Sequence, residues 1–273
     1  MPLVLRWADA TRLPVSAEGL LPSALAGSTA AEVAGRPIAV GNSRSEVGEL
    51  FRVEGDPADG RLVFEGDLRG VRAIGVELDE GTIEVRGDVG HGLGAAMSGG
   101  TIDVFGGVGD NAGAELRGGL IRVRGDAGHN LGGALPGSRL GMRDGIIVLD
   151  GDGGDDAGLA MRRGLIAVLG RCGTGAGRAM VAGTLLAFGP VGDGAGAGMK
   201  RGTIALFGDE PGAVGPTFAE GIPFRPVVLA IYLRALRRLG LDVPATADHG
   251  PLGRFLGDRL EDGRGEILVG RLS

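Results

Sequence analysis

From about residue 81 the apolar positions return at fixed places in a repeating unit. One set reads Ile83, Ile102, Ile121, Ile147, Ile166, Leu185 and Ile204; a second, two residues on, reads Val85, Val104, Val123, Leu149, Val168, Ala187 and Leu206. Alternate residues of a strand face the same side, so both sets lie on the inner face of a short recurring strand. A third set, Met97, Leu116, Met142, Met161, Met180 and Met199, includes every methionine except Met1 and reads as a core column. The template is G-x-x-G-x-x-x-G-x-x-M-x-x-G-x-I-x-V-x-G. Its closing glycines (Gly87, Gly106, Gly125, Gly151, Gly170, Gly189, Gly208) stand 19, 19, 26, 19, 19 and 19 residues apart, the long unit carrying an insertion between Gly132 and Met142. Such a unit cannot bury its own apolar side, but a stack of units can, at roughly 4.8 Å per strand. The pattern predicts an all-β solenoid. Inward positions are not spaced by six, which excludes the left-handed hexapeptide form and leaves a right-handed parallel β-helix with 19-residue rungs.

The solenoid is expected over 60–215, starting with an imperfect rung, since Gly66 and Gly87 are 21 residues apart. Residues 1–59 do not fit the repeat and read as a small N-terminal cap over the otherwise open sheet edge. A strand is expected at Leu3–Trp7, a short helix at Thr29–Val33 entered from Ser28, and a strand in GELFRVEG that feeds the solenoid. Residues 216–273 read as a C-terminal amphipathic helix and tail. The helix spans Pro223–Gly240 with Val228, Ile231, Tyr232, Ala235 and Leu239 at helical spacing, and the tail adds a short helix and a strand. The outward strand positions change character along the stack. Early ones are Glu84, Arg86, Asp103, Arg122 and Arg124; later ones are Ile146, Val148, Leu165, Ala167, Leu169, Leu186, Phe188, Ala205 and Phe207. A solvated face does not stay apolar over four rungs. Leu165, Leu186, Phe188 and Phe207 are therefore expected to be an interface, covered by the C-terminal helix, by a partner, or by both.

Composition sharpens this picture. Glycine supplies 57 of 273 residues, with no Gly-X-Y period. The run Gly90-His91-Gly92-Leu93-Gly94 suggests a phosphate-cradling loop, but a dinucleotide fingerprint occurs once, between a strand and a helix. Six consecutive copies without helices between them are turns. A net charge of −6 argues against nucleic acid. Lys200 is the sole lysine, an arginine-rich bias that points to a GC-rich bacterial genome. The first residues lack a basic stretch followed by an apolar one, and no apolar run reaches 18 residues, so neither a signal peptide nor a membrane span is expected and the chain reads as cytoplasmic.

Candidate chemistry is sparse. His91, His129 and His249 are the only histidines. The first two share a turn column, His91, Asp110, His129, Asp155, Thr174 and Asp193, next to Gly92, Asn111, Asn130, Asp156, Gly175 and Gly194. Imidazole and carboxylate at rung spacing could meet a metal, but a ladder in which Asp and Asn satisfy turn backbone groups is the expected reading. Cys172, the sole cysteine, lies in a turn and permits no disulfide within the chain. Asp150-Gly-Asp152-Gly-Gly-Asp155-Asp156 lacks the calcium-loop spacing. One Trp and one Tyr do not line a carbohydrate cleft. No catalytic residue, metal site or cofactor is expected within this chain alone. One charged feature stands out: Arg117, Arg143, Arg162, Arg163, Lys200 and Arg201 follow the methionines and form a positive stripe about 20 Å long. It fits a solvated corner paired with nearby carboxylates, an acidic partner protein, or a polyanion.

Three segments carry a resemblance: LPVSAEGLLPSALAGSTAAEVAGRPIAVGN with LFRVEG at 13–55, the glycine repeat, and FLGDRLEDGRGEILV near the end. Together they resemble the C-type subunit of formylmethanofuran dehydrogenase along nearly the whole chain, most closely the form found in the bacterial formyltransferase/hydrolase complex. The repeat alone is also similar to the C-terminal domain of the glutamate synthase large subunit, which links active sites. The resemblance implies a non-catalytic scaffold with three kinds of partner: an A-type subunit that is a metal-dependent hydrolase, a B-type subunit, and a D-type subunit that is a formyltransferase. In the bacterial setting such a complex moves a formyl group from tetrahydromethanopterin to a methanofuran-like carrier and hydrolyses it to formate. The archaeal setting is a molybdenum or tungsten formylmethanofuran dehydrogenase. A methanofuran-type carrier has a glutamate-rich tail, so the resemblance also implies a ligand for the basic stripe.

Overall fold

The computed structural model describes residues 1–8, 11–208, 214–244, 247 and 250–270. The N-terminal part contains β1 (Leu3–Trp7), β2 (Val15–Ser16), α1 (Pro22–Leu25), α2 (Ala30–Ala34), β3 (Pro37–Val40), β4 (Ser43–Glu46), α3 (Val47–Leu50) and β5 (Phe51–Glu54). Thr29, not Ser28, caps α2. Its hydroxyl accepts from Glu32 N at 3.2 Å while the Glu32 carboxylate accepts from Thr29 N at 2.7 Å, a reciprocal capping box. The GELFRVEG strand differs from expectation: β5 runs antiparallel to β1 on the outer edge of the sheet and does not feed the stack. β1 is the strand that joins the stack, pairing in parallel with β6 (Arg61–Glu65).

The repeats then supply β7 (Val71–Arg72), β8 (Thr82–Arg86), β9 (Thr101–Val104), β10 (Arg117–Val123), β11 (Asp144–Leu149), β12 (Leu165–Val168), β13 (Thr184–Ala187) and β14 (Arg201–Leu206). From β8 to β14 each strand pairs in parallel with the next, and equivalent residues stand opposite one another: Ile83↔Ile102, Ile102↔Ile121, Ile121↔Ile147 and so on to Leu185↔Ile204. A second line of parallel bridges joins Leu68, Val89, Val108, Ala127, Gly153, Cys172 and Val191. The isoleucine, valine and methionine columns are fully buried in one continuous core. Glycine is needed in the turns for room as well as conformation. At Gly94 (φ +62°) a Cβ would lie 2.6 Å from Ile121 Cδ1, so the turn and the isoleucine column interlock. The insertion leaves the stack after Gly132 and rejoins where Met142 N donates to Gly132 O at 2.9 Å.

The chain ends with β15 (Ala219–Phe224), α4 (Val227–Arg238), β16 (Leu252–Gly257) and β17 (Arg264–Val269). The tail is two strands where a helix and a strand were expected. β17 extends the stack in parallel, with Ile267 opposite Ile204, because Arg264-Gly-Glu-Ile267 repeats the pattern of Arg201-Gly-Thr-Ile204. β16 and β15 then add antiparallel strands, and thirteen strands share the sheet among the described residues. The helix lies on the side of the stack, but on a different face from the expected one. Leu229, Leu233 and Leu236 are buried, whereas Val228 and Ile231 are exposed. The sequence offers apolar residues on several sides of α4, so spacing alone could not select the docked side.

Candidate functional site

The outward apolar face is closed by the chain itself. Val148, Leu165, Ala167, Leu186, Phe188, Ala205 and Phe207 form a second core with Leu229, Leu233 and Leu236 of α4. Leu165, Leu186, Phe188 and Phe207, read from the sequence as an interface, are all buried there, and Phe188 stacks on Phe207 with ring centroids 5.1 Å apart. They are thus covered by α4 and not left open for another protein. Arg122, an outward residue of β10, secures the end of this helix. Its guanidinium donates to the carbonyls of Leu239 and Gly240 and pairs with Asp150 at 3.1 Å.

The turn column is a ladder. Asp110 accepts from His129 N at 2.8 Å, Asp155 accepts from Thr174 N at 2.8 Å, and Asn130 donates to Asn111 at 2.7 Å. His129 Nδ1 accepts from Asp155 N at 3.0 Å, which requires that nitrogen to be unprotonated. The bond from Thr174 N, with the Thr174 side chain and the His129 charge behind it, holds the Asp155 carboxyl below its usual range. Asp88, Asp126 and Asp152 repeat the arrangement one strand further on each time. Asp156 of the 150–156 acidic run pairs with Arg178. Among the described residues no group of three or more His, Cys, Asp or Glu side chains could hold a metal ion; His249 lies outside them. Burial pushes the Cys172 thiol up to about 12, with the Asp155 charge adding to it, so this sulfur stays protonated.

The basic column is built by the methionines. Each methionine side chain points inward, and the residue after it turns out and is tied to the preceding repeat. Arg117 N donates to Met97 O, Arg143 N to Leu116 O, Arg162 N to Met142 O and Lys200 N to Met180 O, at 2.6–2.8 Å. Arg117, Arg162, Arg163, Lys200 and Arg201 are exposed and Arg143 is half-buried. Val181 occupies the equivalent place between Arg162 and Lys200, donating to Met161 O, so the stripe divides into two groups. The second group gains Arg264, directly opposite Arg201 in the β14–β17 pair and missed when the tail was read as separate from the repeat. Pairing with nearby carboxylates, one of the sequence readings, holds for Lys200 alone, which lies 3.4 Å from Glu261. Arg117, Arg143, Arg162, Arg163, Arg201 and Arg264 make no ion pair with any described residue.

These features define a class: a repeat-built β chain whose unspent charge lies on an outer column. No family model matches the chain. A chain of the formyltransferase/hydrolase complex FhcABCD from Methylorubrum extorquens, solved with methylofuran, is 33% identical over 98% of this chain and 99% of that one, with a TM-score of 0.88. The C-type subunit of tungsten-containing formylmethanofuran dehydrogenase 2 is 33% identical in Methanothermobacter wolfeii and 31% in Methanothermobacter marburgensis, each over 97 residues. That match spans 36% of those relatives' length. The chain belongs to the same family as this FhcABCD chain and is homologous to the C-type subunit of formylmethanofuran dehydrogenase.

Proposed function

We propose that the chain is a non-catalytic scaffold, cytoplasmic, of a complex that transfers a formyl group from tetrahydromethanopterin to a methanofuran-like carrier and hydrolyses it to formate. Its partners in this reading are a metal-dependent hydrolase, a formyltransferase and a third protein, the B-type subunit. The observation that carries the proposal is the end-to-end likeness to a chain of FhcABCD. It favours the transferase/hydrolase setting over the dehydrogenase one, whose C-type subunit matches over 97 residues only. The stacked parallel strands and 19-residue spacing are read as a right-handed β-helix of three parts, a cap at 1–59, the solenoid at 60–215 and a C-terminal part at 216–273. A structural role is supported by the way reactive groups are spent: turn carboxylates hold backbone N–H groups, and the one thiol is buried. The free arginines of the basic column are proposed to hold the anionic tail of the carrier, where several weak contacts to one chain add through effective concentration.

Co-expression with the cognate hydrolase, formyltransferase and B-type subunits tests this, with the tag on this chain. Recovery of an active complex of four subunits is expected, and a chain that co-purifies with none of them overturns the proposal. Within the complex, Arg162→Glu, Arg163→Glu, Lys200→Glu and Arg201→Glu together are expected to slow transfer more with a long-tailed carrier than with a short-tailed one. Equal losses reject the carrier contact, and loss of assembly assigns the column to an acidic partner protein.

A further inference from the structure

α4 carries a second apolar face that nothing in the chain covers. With Leu229, Leu233 and Leu236 buried against the stack, Val227 is 79% exposed, Val228 52% and Ile231 64%. Val227, Ile231, Arg234 and Arg238 follow one another at i, i+4, i+7 and i+11, a single stripe that is apolar at its N-terminal half and basic at its C-terminal half. A cleft of about 510 Å³ runs beside it, with Leu233 and Leu252 in its walls and Arg234 at its rim. Just before the helix, Ile222 is 85% exposed on β15, the last strand of the sheet, so the apolar surface continues past α4.

Charge selects the occupant. From Arg225 to Leu241 there are four arginines and no carboxylate, in a chain whose net charge is −6. A second copy would set this basic helix against its own like charge. An anionic lipid surface would meet a net-negative protein, and a helix already anchored by three leucines has only three apolar side chains to insert. We propose that the exposed face of α4 docks an acidic, amphipathic segment of another protein of the complex, apolar side chains against Val228 and Ile231 and carboxylates against Arg234 and Arg238. This rests on the scaffold reading above and extends it by placing a contact between subunits on a surface other than the basic column. An apolar centre with a charged rim is the usual anatomy of such a contact.

The test uses the co-expressed complex with the photoreactive substitution Ile231→p-benzoylphenylalanine. Irradiation is expected to join position 231 to an Asp/Glu-rich peptide of the hydrolase, the formyltransferase or the B-type subunit, identified by mass spectrometry. Val228→Glu with Ile231→Glu is expected to weaken attachment to the other subunits at least tenfold while leaving the melting temperature of the isolated chain unchanged. Arg234→Glu with Arg238→Glu is expected to weaken it as well, with a shallower salt dependence than the unmodified chain. An assembled complex without a crosslink at 231, a crosslink to a second copy, or binding of the isolated chain to phosphatidylserine vesicles that the Val228/Ile231 pair abolishes would each overturn the proposal. Failure of the unmodified chain to assemble is a different result, which removes the scaffold reading itself and this contact with it.

Discussion

Removing the Arg122 guanidinium is expected to loosen α4 without melting the stack. Arg122 sits on β10, with its side chain 12% exposed, and reaches across to the C-terminal end of the helix. It donates to Leu239 O and Gly240 O, carbonyls left over where α4 ends, and its charge opposes the negative end of the helix dipole. A hydrogen bond to a charged group contributes about 1.5 to 3 kcal/mol when shielded. Two of them at the lower value, since Gly240 is exposed, give about 3 kcal/mol. Arg122→Met retains most of the packing and removes those bonds, so the undocked population of α4 should rise roughly a hundredfold, at 1.4 kcal/mol per factor of ten. Trypsin reads that population directly, because Arg234, Arg237 and Arg238 are cleavage sites on the helix and cleavage follows the open form when closing is fast. Arg122→Lys keeps the charge but cannot reach two carbonyls and the carboxylate together, so it should fall between wild type and Met. Asp150 loses its partner in Arg122→Met, and adding Asp150→Asn should recover part of the loss. Unchanged cleavage in α4 with Arg122→Met would refute the capping role. Loss of the main thermal transition would refute the claim that helix and stack are held separately.

Phe207→Asp, which places a carboxylate in the second core, is expected to release α4 to trypsin while the parallel stack keeps its circular dichroism; a helix that stays protected counts against it. Met161→Ala, at a fully buried place in the first core, should cost about 2–5 kcal/mol by opening a cavity, and Met161→Asp should prevent folding; an unchanged urea midpoint in either would remove Met161 from the interior. Burial alone would raise the Asp258 carboxyl, but bonds from Leu260 N, Gly198 N and the Thr217 hydroxyl hold it below its usual value. Its contribution is therefore complete above the unfolded value of about 4 and is lost as pH falls through the folded value. Asp258→Asn should be most destabilised at neutral pH and converge with wild type on acidification; a pH-independent difference would contradict this.

The stack was legible because its signal is repeated. One isoleucine two residues before a valine means little, but seven such pairs in register at one spacing admit one arrangement, and β8 to β14 pair residue for residue along it. The same logic reached further than the sequence reading took it. Arg264-Gly-Glu-Ile267 copies Arg201-Gly-Thr-Ile204, but a gap of 63 residues hid the period, and with it Arg264. Where a segment occurs once, pattern constrains less. For α4 both Leu229/Leu233/Leu236 and Val228/Ile231/Tyr232 satisfy helical spacing, and the docked set is fixed by contact with Phe188 and Phe207, which periodicity does not see. For β5, alternation suits a parallel or an antiparallel neighbour equally, and only the hydrogen bonds to β1 decide.

The basic column differs from the other arginines in a way that can be tested on the isolated chain. On the outer strand face of the early repeats, guanidinium and carboxylate groups alternate: Arg6 and Arg86 share Glu65, while Arg86 and Arg61 share Glu84. Each such bridge is weak, but none is opposed. In the column, Arg201 stands directly across from Arg264 with no carboxylate paired to either. Like charges opposite each other on neighbouring strands destabilise by roughly 0.2–1 kcal/mol. Left to itself the chain should therefore gain from Arg201→Glu, which turns a repulsion into a cross-strand pair, by about 1 kcal/mol and hence about 2–4 °C in melting temperature. The gain should fade in high salt, where both the repulsion and the pair are screened. The same substitution should impair a complex that uses the column to hold an anion. A surface position whose charge reversal stabilises the free chain and harms the assembled one is kept for binding, since stability alone would have replaced it. If Arg201→Glu lowers the melting temperature at low salt, the arginines are satisfied within the chain and the column loses its claim as a site.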